Sequence, residues 1–319
     1  MAVVQSRTSL WLNRAAIALA LAMLVISMIP LYWIGSTAFK ARADASTVPP
    51  TVFFKPEITP FIKLFTARVQ QRGARDDAEY AKAPWWERLV MDGGDRFIKD
   101  DKGSIESSGY ASRFFNSLVI AISSTFLAVA MGTITAYGFS RFKMPGEDDW
   151  LFFILSTRML PPVVVAIPMF LMYRMVGLVD THVGLIILYT AFNLSFSVWL
   201  MKGFIDEIPK EYEEAALVDG YTRMEAFFKI VLPQATTGIA ATAVFCFITA
   251  WNEYAFALMM TNKNAQTAPP YIPSQLGSGL TDWTVIAAGS LLFLIPVALF
   301  TFFLRDHLLR GVTFGAIRR

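Results

Sequence analysis

Very few residues in this chain have the types and spacing that chemistry requires. There are two histidines, His182 and His307, and one cysteine, Cys246, which lies in an apolar run and has no partner for an internal disulfide. No His-Glu-x-x-His pair is present for zinc and no Gly-x-Ser-x-Gly turn for a serine nucleophile, which disfavours a membrane-embedded hydrolase or metalloprotease. The chain also lacks a Gly-x4-Gly-Lys-Ser/Thr loop to cradle nucleotide phosphates. Asp92-Gly93-Gly94-Asp95 and Asp100-Asp101-Lys102-Gly103 are turn chemistry before they are metal ligands. What is left is polar groups set inside apolar runs: Asn193, Ser195 and Ser197 after Tyr189, and the run Trp251-Asn252-Glu253-Tyr254. An acid within an apolar segment is costly to desolvate and must face protein or water. Glu253 is therefore either a hydrogen-bond partner for a neighbouring helix or a group lining a passage, and both readings stand. Trp251 and Tyr254 could stack on a ring-shaped solute or be ordinary core.

The elements that must hold these groups follow from composition. With 55% hydrophobic and 17% charged residues among 319, and a mean hydropathy of +0.47, the chain suits a bilayer better than water. A formal charge of +3 is too small to point to nucleic acid. A spanning helix needs about 20 mostly apolar residues. Six segments qualify, at residues 12–39, 114–139, 150–176, 182–201, 238–260 and 283–304. Arg7 and Arg14 precede the first, and Ala41-Arg42-Ala43 mimics a cleavage site, but the apolar core 15–38 is too long for an ordinary signal peptide and predicts a retained helix. With the N-terminus inside, the short inner segments carry Arg141, Lys143, Lys202, Lys210, Arg223 and Lys229 among others, whereas the short outer loops carry only Lys263. That bias predicts cytoplasmic termini.

Pro49-Pro50, Pro56 and Pro60 open the first outer loop as an extended lead-out. Beyond them, residues 68–108 form a polar stretch that no spanning helix requires. In it, Trp85-Trp86 could anchor at the headgroups, contact a partner or pack on itself. The third apolar segment contains Pro161, Pro162 and Pro168, which remove backbone donors and predict a kink. For its Arg158 and Arg174, snorkelling to the interface is the first reading and a pathway role the second.

The longest polar interruption in the second half is 203–237. Ile208-Pro209 predicts a helix start with proline near its first position, and Glu211, Glu213 and Glu214 place negative charge at the positive end of the helix dipole. Ala215 and Ala216 give a smooth face, and Gly220 ends the helix where a left-handed residue is cheapest. Thr222-x-x-Glu225 is a capping box for a second helix, on which Met224, Phe227, Phe228 and Val231 recur on one face. Pro233 predicts its end at Leu232. The result is a stiff two-helix knob on the cytoplasmic side.

The spacing Glu214-Ala215-Ala216-x3-Gly220-x9-Ile230-x-Leu232-Pro233, with Asp219 before the glycine, resembles the EAA loop of permease subunits in bacterial ABC importers. Ile167-Pro168, Trp199-Leu200-Met201-Lys202-Gly203-Phe204, Trp251-Asn252-Glu253-Tyr254-Ala255-Phe256-Ala257-Leu258 and the tail Arg310-Gly311-Val312-Thr313-Phe314-Gly315-Ala316 look like the carbohydrate branch, specifically the second permease of maltose-like systems. Two departures are visible: the neighbourhood of Thr237 lacks a proline often found there, and residues 68–108 look like an insertion.

The resemblance implies an all-α membrane protein with six transmembrane helices in the type I ABC importer fold. Residues 1–319 would be a single permease domain, 40–113 an enlarged periplasmic loop and 203–237 the coupling loop. It implies that Glu213, Glu214, Ala215, Ala216, Asp219, Gly220, Ile230, Leu232 and Pro233 couple to an ATPase, and that Tyr189, Asn193, Trp251, Asn252 and Glu253 belong to the translocation path. No cofactor, metal or enzymatic activity is implied for this chain; ATP and Mg are bound by two copies of a partner ATPase subunit. The other implied partners are a second permease, a periplasmic or surface solute-binding protein and the lipid of a bacterial inner membrane, with no nucleic acid. Sugar is the first cargo. A polyol, amino acid or phosphonate is the alternative, and a secondary transporter the rival class, whose paired broken helices and several buried charges are not matched by one proline-rich helix and one buried acid.

Overall fold

The structure is a computed structural model that describes residues 7–49, 51–69, 81–89, 92, 104–274 and 282–316. Contacts divide it into two units, Met1–Gly109 with Gln275–Leu292, and Tyr110–Ser274 with Phe293–Arg319.

The first unit holds the helix α1 (Arg7–Thr37), whose side chains from 14 to 33 are exposed. Residues 46–49 and 51–58 have no regular structure, in line with an extended lead-out around Pro49 and Pro56, whereas Pro60 lies in a short helix, Thr59–Phe65. Two short strands then pair antiparallel, β1 (Thr66–Val69) with β2 (Ser104–Ser107), in the register Thr66 to Ser107. The polar insertion is therefore closed at its base by a ribbon that the sequence did not announce. Trp85 is exposed and Trp86 half-buried. Most of the insertion, including Gly93 to Gly103, lies outside the described residues.

The second unit is built on α2 (Tyr110–Arg141), which continues beyond the expected segment at both ends. The third apolar segment is two helices, α3 (Glu147–Ser156, continued as a 3-10 turn to Met159) and α4 (Pro162–Met175), meeting at 91°. A kink was expected and a full break is found, because Pro161-Pro162 in succession leave the chain extended at Leu160 and Pro161. Pro168 sits inside α4 without breaking it. The helix α5 (His182–Asp206) runs five residues past its expected end. It packs along α2 so closely that a Cβ at Gly132 would strike the Ser197 side chain. The two-helix knob follows, opened by α6 (Glu211–Val218), and then α7 (Thr236–Trp251). At about 24 Å by helical rise, α7 falls short of a bilayer core, and after a break at Asn252–Tyr254 the helix resumes as Ala255–Met260. The last helix, α8 (Trp283–Ala316), extends well past residue 304.

Among the described residues, four helices are long and apolar enough to cross a membrane, and two bent helix pairs raise the number to six. The core of the second unit gathers Ile120 of α2, Leu188 of α5, and Phe247 and Trp251 of α7. A second cluster joins Tyr137, Met201 and Ile205 near the C-terminal ends of α2 and α5 to Phe227 and Val231 of the knob.

Candidate functional site

In the knob, α6 (Glu211–Val218) begins two residues after Pro209 and carries Glu211, Glu213 and Glu214 in its first turn. Gly220 has φ +92°, and its N–H reaches the Leu217 carbonyl at 3.1 Å while the Tyr221 N–H reaches Ala216 at 3.0 Å. Those two bonds are the Schellman closure that a left-handed glycine permits. The capping box also forms: the Thr222 N–H donates to Glu225 Oε2 at 2.8 Å and the Glu225 N–H to Thr222 Oγ1 at 3.3 Å. Donation by Thr222 holds the Glu225 carboxyl below the usual range.

Pro233 does not stop the second helix. The backbone widens into a π turn over Phe227–Val231, in which the Leu232 N–H reaches back to Phe227, and continues to Gln234 before bending by 74° into α7. The wider turn re-pairs the ladder around the donor that proline lacks. Nor is the apolar face uniform: Phe227 and Val231 are buried, while Met224 and Phe228 are exposed. Glu214, Ala215, Asp219, Gly220 and Pro233 face outward, Ile230 and Leu232 are half-buried, and Glu213 and Ala216 are buried. Val218, 88% exposed, and Tyr212 add apolar area to the outward surface.

The polar groups in the spans meet at a cavity of about 250 Å³ lined by Arg158, Tyr189, Phe192, Asn193, Thr249, Glu253 and Phe256, with Leu160, Pro162 and Ala250 completing it. Arg158 Nη1 donates to the Phe192 carbonyl at 2.8 Å and lies 3.4 Å from Asn193 Oδ1. Asn193 is fixed by Thr249, which donates to its Oδ1 at 2.7 Å, and by its own bond to the Cys246 carbonyl at 3.3 Å. Glu253 Oε1 accepts from the Phe256 N–H at 3.0 Å, capping the first turn after the break. The Tyr189 hydroxyl is buried without a hydrogen-bond partner among the described residues.

Of the five residues singled out in these helices, Tyr189, Asn193 and Glu253 line the cavity. Trp251 does not: it is 1% exposed, stacks on Phe293 at 4.6 Å and donates Nε1–H to the Phe293 carbonyl at 3.1 Å. Asn252 is exposed and turns its amide back to the Ile248 carbonyl at 2.8 Å. Thr249 was missed, and Arg158 joins the cavity in keeping with the second of the two readings given for it. Arg158 reaches α5 through its bond to the Phe192 carbonyl, and an arginine three residues before Pro161-Pro162 is the signal that marks it.

This arrangement is that of the membrane domain of a type I ABC importer. The chain superposes with a TM-score of 0.65 and 19% identity on a bacterial ABC transporter involved in the import of the acidic polysaccharide alginate, covering 95% of this chain and 99% of that one. The chain belongs to the binding-protein-dependent transport system inner membrane component family, whose model matches residues 128–314. Among curated relatives, a probable ABC transporter permease, y4oR of Sinorhizobium fredii, is 28% identical over 293 residues, 92% of this chain and 91% of that protein. The trehalose transport system permease SugB of Mycobacterium tuberculosis is 34% identical over 220 residues, 68% and 80% respectively.

Proposed function

We propose that the chain is the membrane-spanning permease subunit of an ATP-driven, binding-protein-dependent sugar importer. Family membership makes it a membrane subunit of such a system, and the observation that carries the coupling role is the knob itself. Two short helices locked by a Schellman glycine and a capping box present Glu214, Ala215, Asp219 and Gly220 outward on a rigid corner. A rigid corner transmits displacement where a slack loop would absorb it. The chain acts as one permease domain over 1–319, with 40–113 as its outer loop and 203–237 as its coupling loop.

ATP and Mg are held by two copies of an ATPase subunit beneath the knob, and the chain itself does not hydrolyse ATP. Closure of those subunits moves the knob and switches the spans between inward- and outward-open states. A second permease completes the path, and a periplasmic or surface binding protein delivers the solute. The excess of Lys and Arg in the inner segments supports a bacterial inner membrane location with both termini cytoplasmic. Sugar is favoured as cargo by the trehalose and alginate systems among its likenesses and by a cavity that joins a carboxylate, a guanidinium and a buried hydroxyl to two phenylalanine rings.

The test is purification of the tagged chain from its own membrane. A co-purifying ATPase with a phosphate-binding loop and a second six-span chain are expected. In proteoliposomes with the binding protein, ATP hydrolysis should rise with di- or oligosaccharides and stay flat with amino acids. Stimulation by amino acids alone would reassign the cargo, and a chain that purifies without an ATPase would reject the reading.

A further inference from the structure

Glu213 stands beside the outward-facing Glu214, yet it points the other way. Its side chain is 5% exposed and forms an ion pair with Arg141, the last residue of α2, whose own side chain is 3% exposed. The other carboxylate oxygen accepts from the Tyr137 hydroxyl at 2.9 Å. Arg141 is fully engaged around this pair: Nη2 donates to the Ile208 carbonyl, just before α6, at 2.9 Å, and Nη1 to Ser140 Oγ at 2.9 Å. Ser140 in turn donates to Asp206 at the C-terminal end of α5.

The second helix of the knob meets the same place. Phe227, 2% exposed, lies with its ring 4.7 Å from that of Tyr137. Both halves of the knob therefore converge on one helical turn of α2, Tyr137 to Arg141, far away in sequence. The peptide from Glu207 to Lys210, between α5 and α6, is a turn and bend. A push on the knob can reach the spans through that short connection, through its second helix into α7, or through the buried pair, and the pair is the charged, hydrogen-bonded route onto α2. A buried ion pair of this kind is a weak source of net stability but a strong geometric constraint, since separating it strands two desolvated charges.

We propose that the Arg141–Glu213 pair is the joint through which movement of the coupling knob is delivered to α2, with Arg141 and Glu213 as positioning residues that make no contact with ATPase or cargo. The proposal rests on the permease reading. It assigns adjacent glutamates opposite tasks: Glu214 faces the partner and Glu213 grips the bundle.

The test uses the complex purified with its ATPase. After Cys246→Ala, nitroxide labels are placed through Glu211→Cys on the knob and Phe126→Cys on α2, both exposed. Electron spin distances are read without nucleotide and after trapping with ATP and vanadate. With the pair intact, the distance distribution stays the same in both states, because knob and α2 move as one body. In the double variant Arg141→Gln with Glu213→Gln, which leaves no stranded charge, ATPase still co-purifies and the distribution shifts on trapping. Arg141→Lys, keeping the charge pair, restores the constant distance. A double variant whose distance stays constant overturns the proposal, as does an intact pair whose distance shifts. Loss of ATPase binding in the double variant makes the pair a folding element and also overturns it. A wild-type chain that never binds ATPase fails the permease reading itself and is seen before any label is added.

Discussion

The Asp180 carboxylate receives the backbone N–H of Asn264 through both oxygens, at 3.1 Å to Oδ1 and 3.0 Å to Oδ2. The N–H groups of Asn262, Lys263 and Ala265 converge on it as well, and Asp180 itself takes a left-handed φ of 56° to present it. The Asp180 N–H closes the loop onto the Met260 carbonyl at 2.8 Å. One side chain thus pins the connection between α4 and α5 to the loop that follows the broken fifth span.

This clamp predicts an acid-labile step. Partial burial pushes the Asp180 pKa up, and the N–H groups of Asn264, Ala265, Asn262 and Lys263 together outweigh it and hold the carboxyl below its ordinary value. A depressed folded pKa stabilises the fold above the unfolded value of about 3.9, and the contribution is lost as pH falls through the folded pKa. Asp180→Ala should therefore lower stability by roughly 1–3 kcal/mol at neutral pH and flatten the acid limb of thermal unfolding in detergent. A variant with the wild-type acid limb would refute the assignment.

The contact of Gly132 with Ser197 predicts a steric limit. Any side chain at Gly132 must push α2 from α5, and a similar clash with Phe204 guards Gly238 at the start of α7. Gly132→Val should cost about 1–3 kcal/mol by overpacking, read as a lower midpoint in a thermal scan and less assembled protein. An unchanged midpoint would mean the two helices separate more readily than their packing implies.

The cavity predicts that Arg158 acts on cargo and not on coupling. Arg158→Met should reduce sugar uptake into proteoliposomes about tenfold, the equivalent of ~1.4 kcal/mol, while basal ATPase and assembly persist. Glu253→Gln keeps an acceptor for the Phe256 N–H and removes the charge, so altered uptake or basal ATPase is expected from it. Unaltered behaviour of Glu253→Gln would leave the residue as a helix cap alone.

What the sequence disclosed and what it withheld divide along a physical line. Features set by local rules were readable: the φ of Gly220, the Thr222–Glu225 box and the apolar lengths of the spans all depend on residues within a turn or two. Features set by partners far along the chain were not. Glu213 looks like any acid in a first turn until Arg141 is brought beneath it, and Arg158 reads first as an interfacial arginine until its contacts with Phe192 and Asn193 place it at the cavity. Pro233 misled for a related reason, since a π turn is a cooperative adjustment of the segment before it and leaves no residue-level mark. Trp251 carried the same ambiguity as every aromatic in an apolar helix, and only the stacked rings of Phe247 and Phe293 decide it for the core.

The rigid corner at Gly220 is the most direct point of attack on the whole account. A β-branched residue there must adopt a left-handed backbone at φ +92°, at a cost of roughly 1–2 kcal/mol or more, or open the Schellman closure and let the knob slacken. ATP-driven sugar uptake by the reconstituted complex carrying Gly220→Val, expressed per ATP hydrolysed, is the decisive measurement. A loss of about tenfold or more is expected, on the scale of coupling energies between distant sites. Uptake per ATP and assembly both equal to wild type would contradict it.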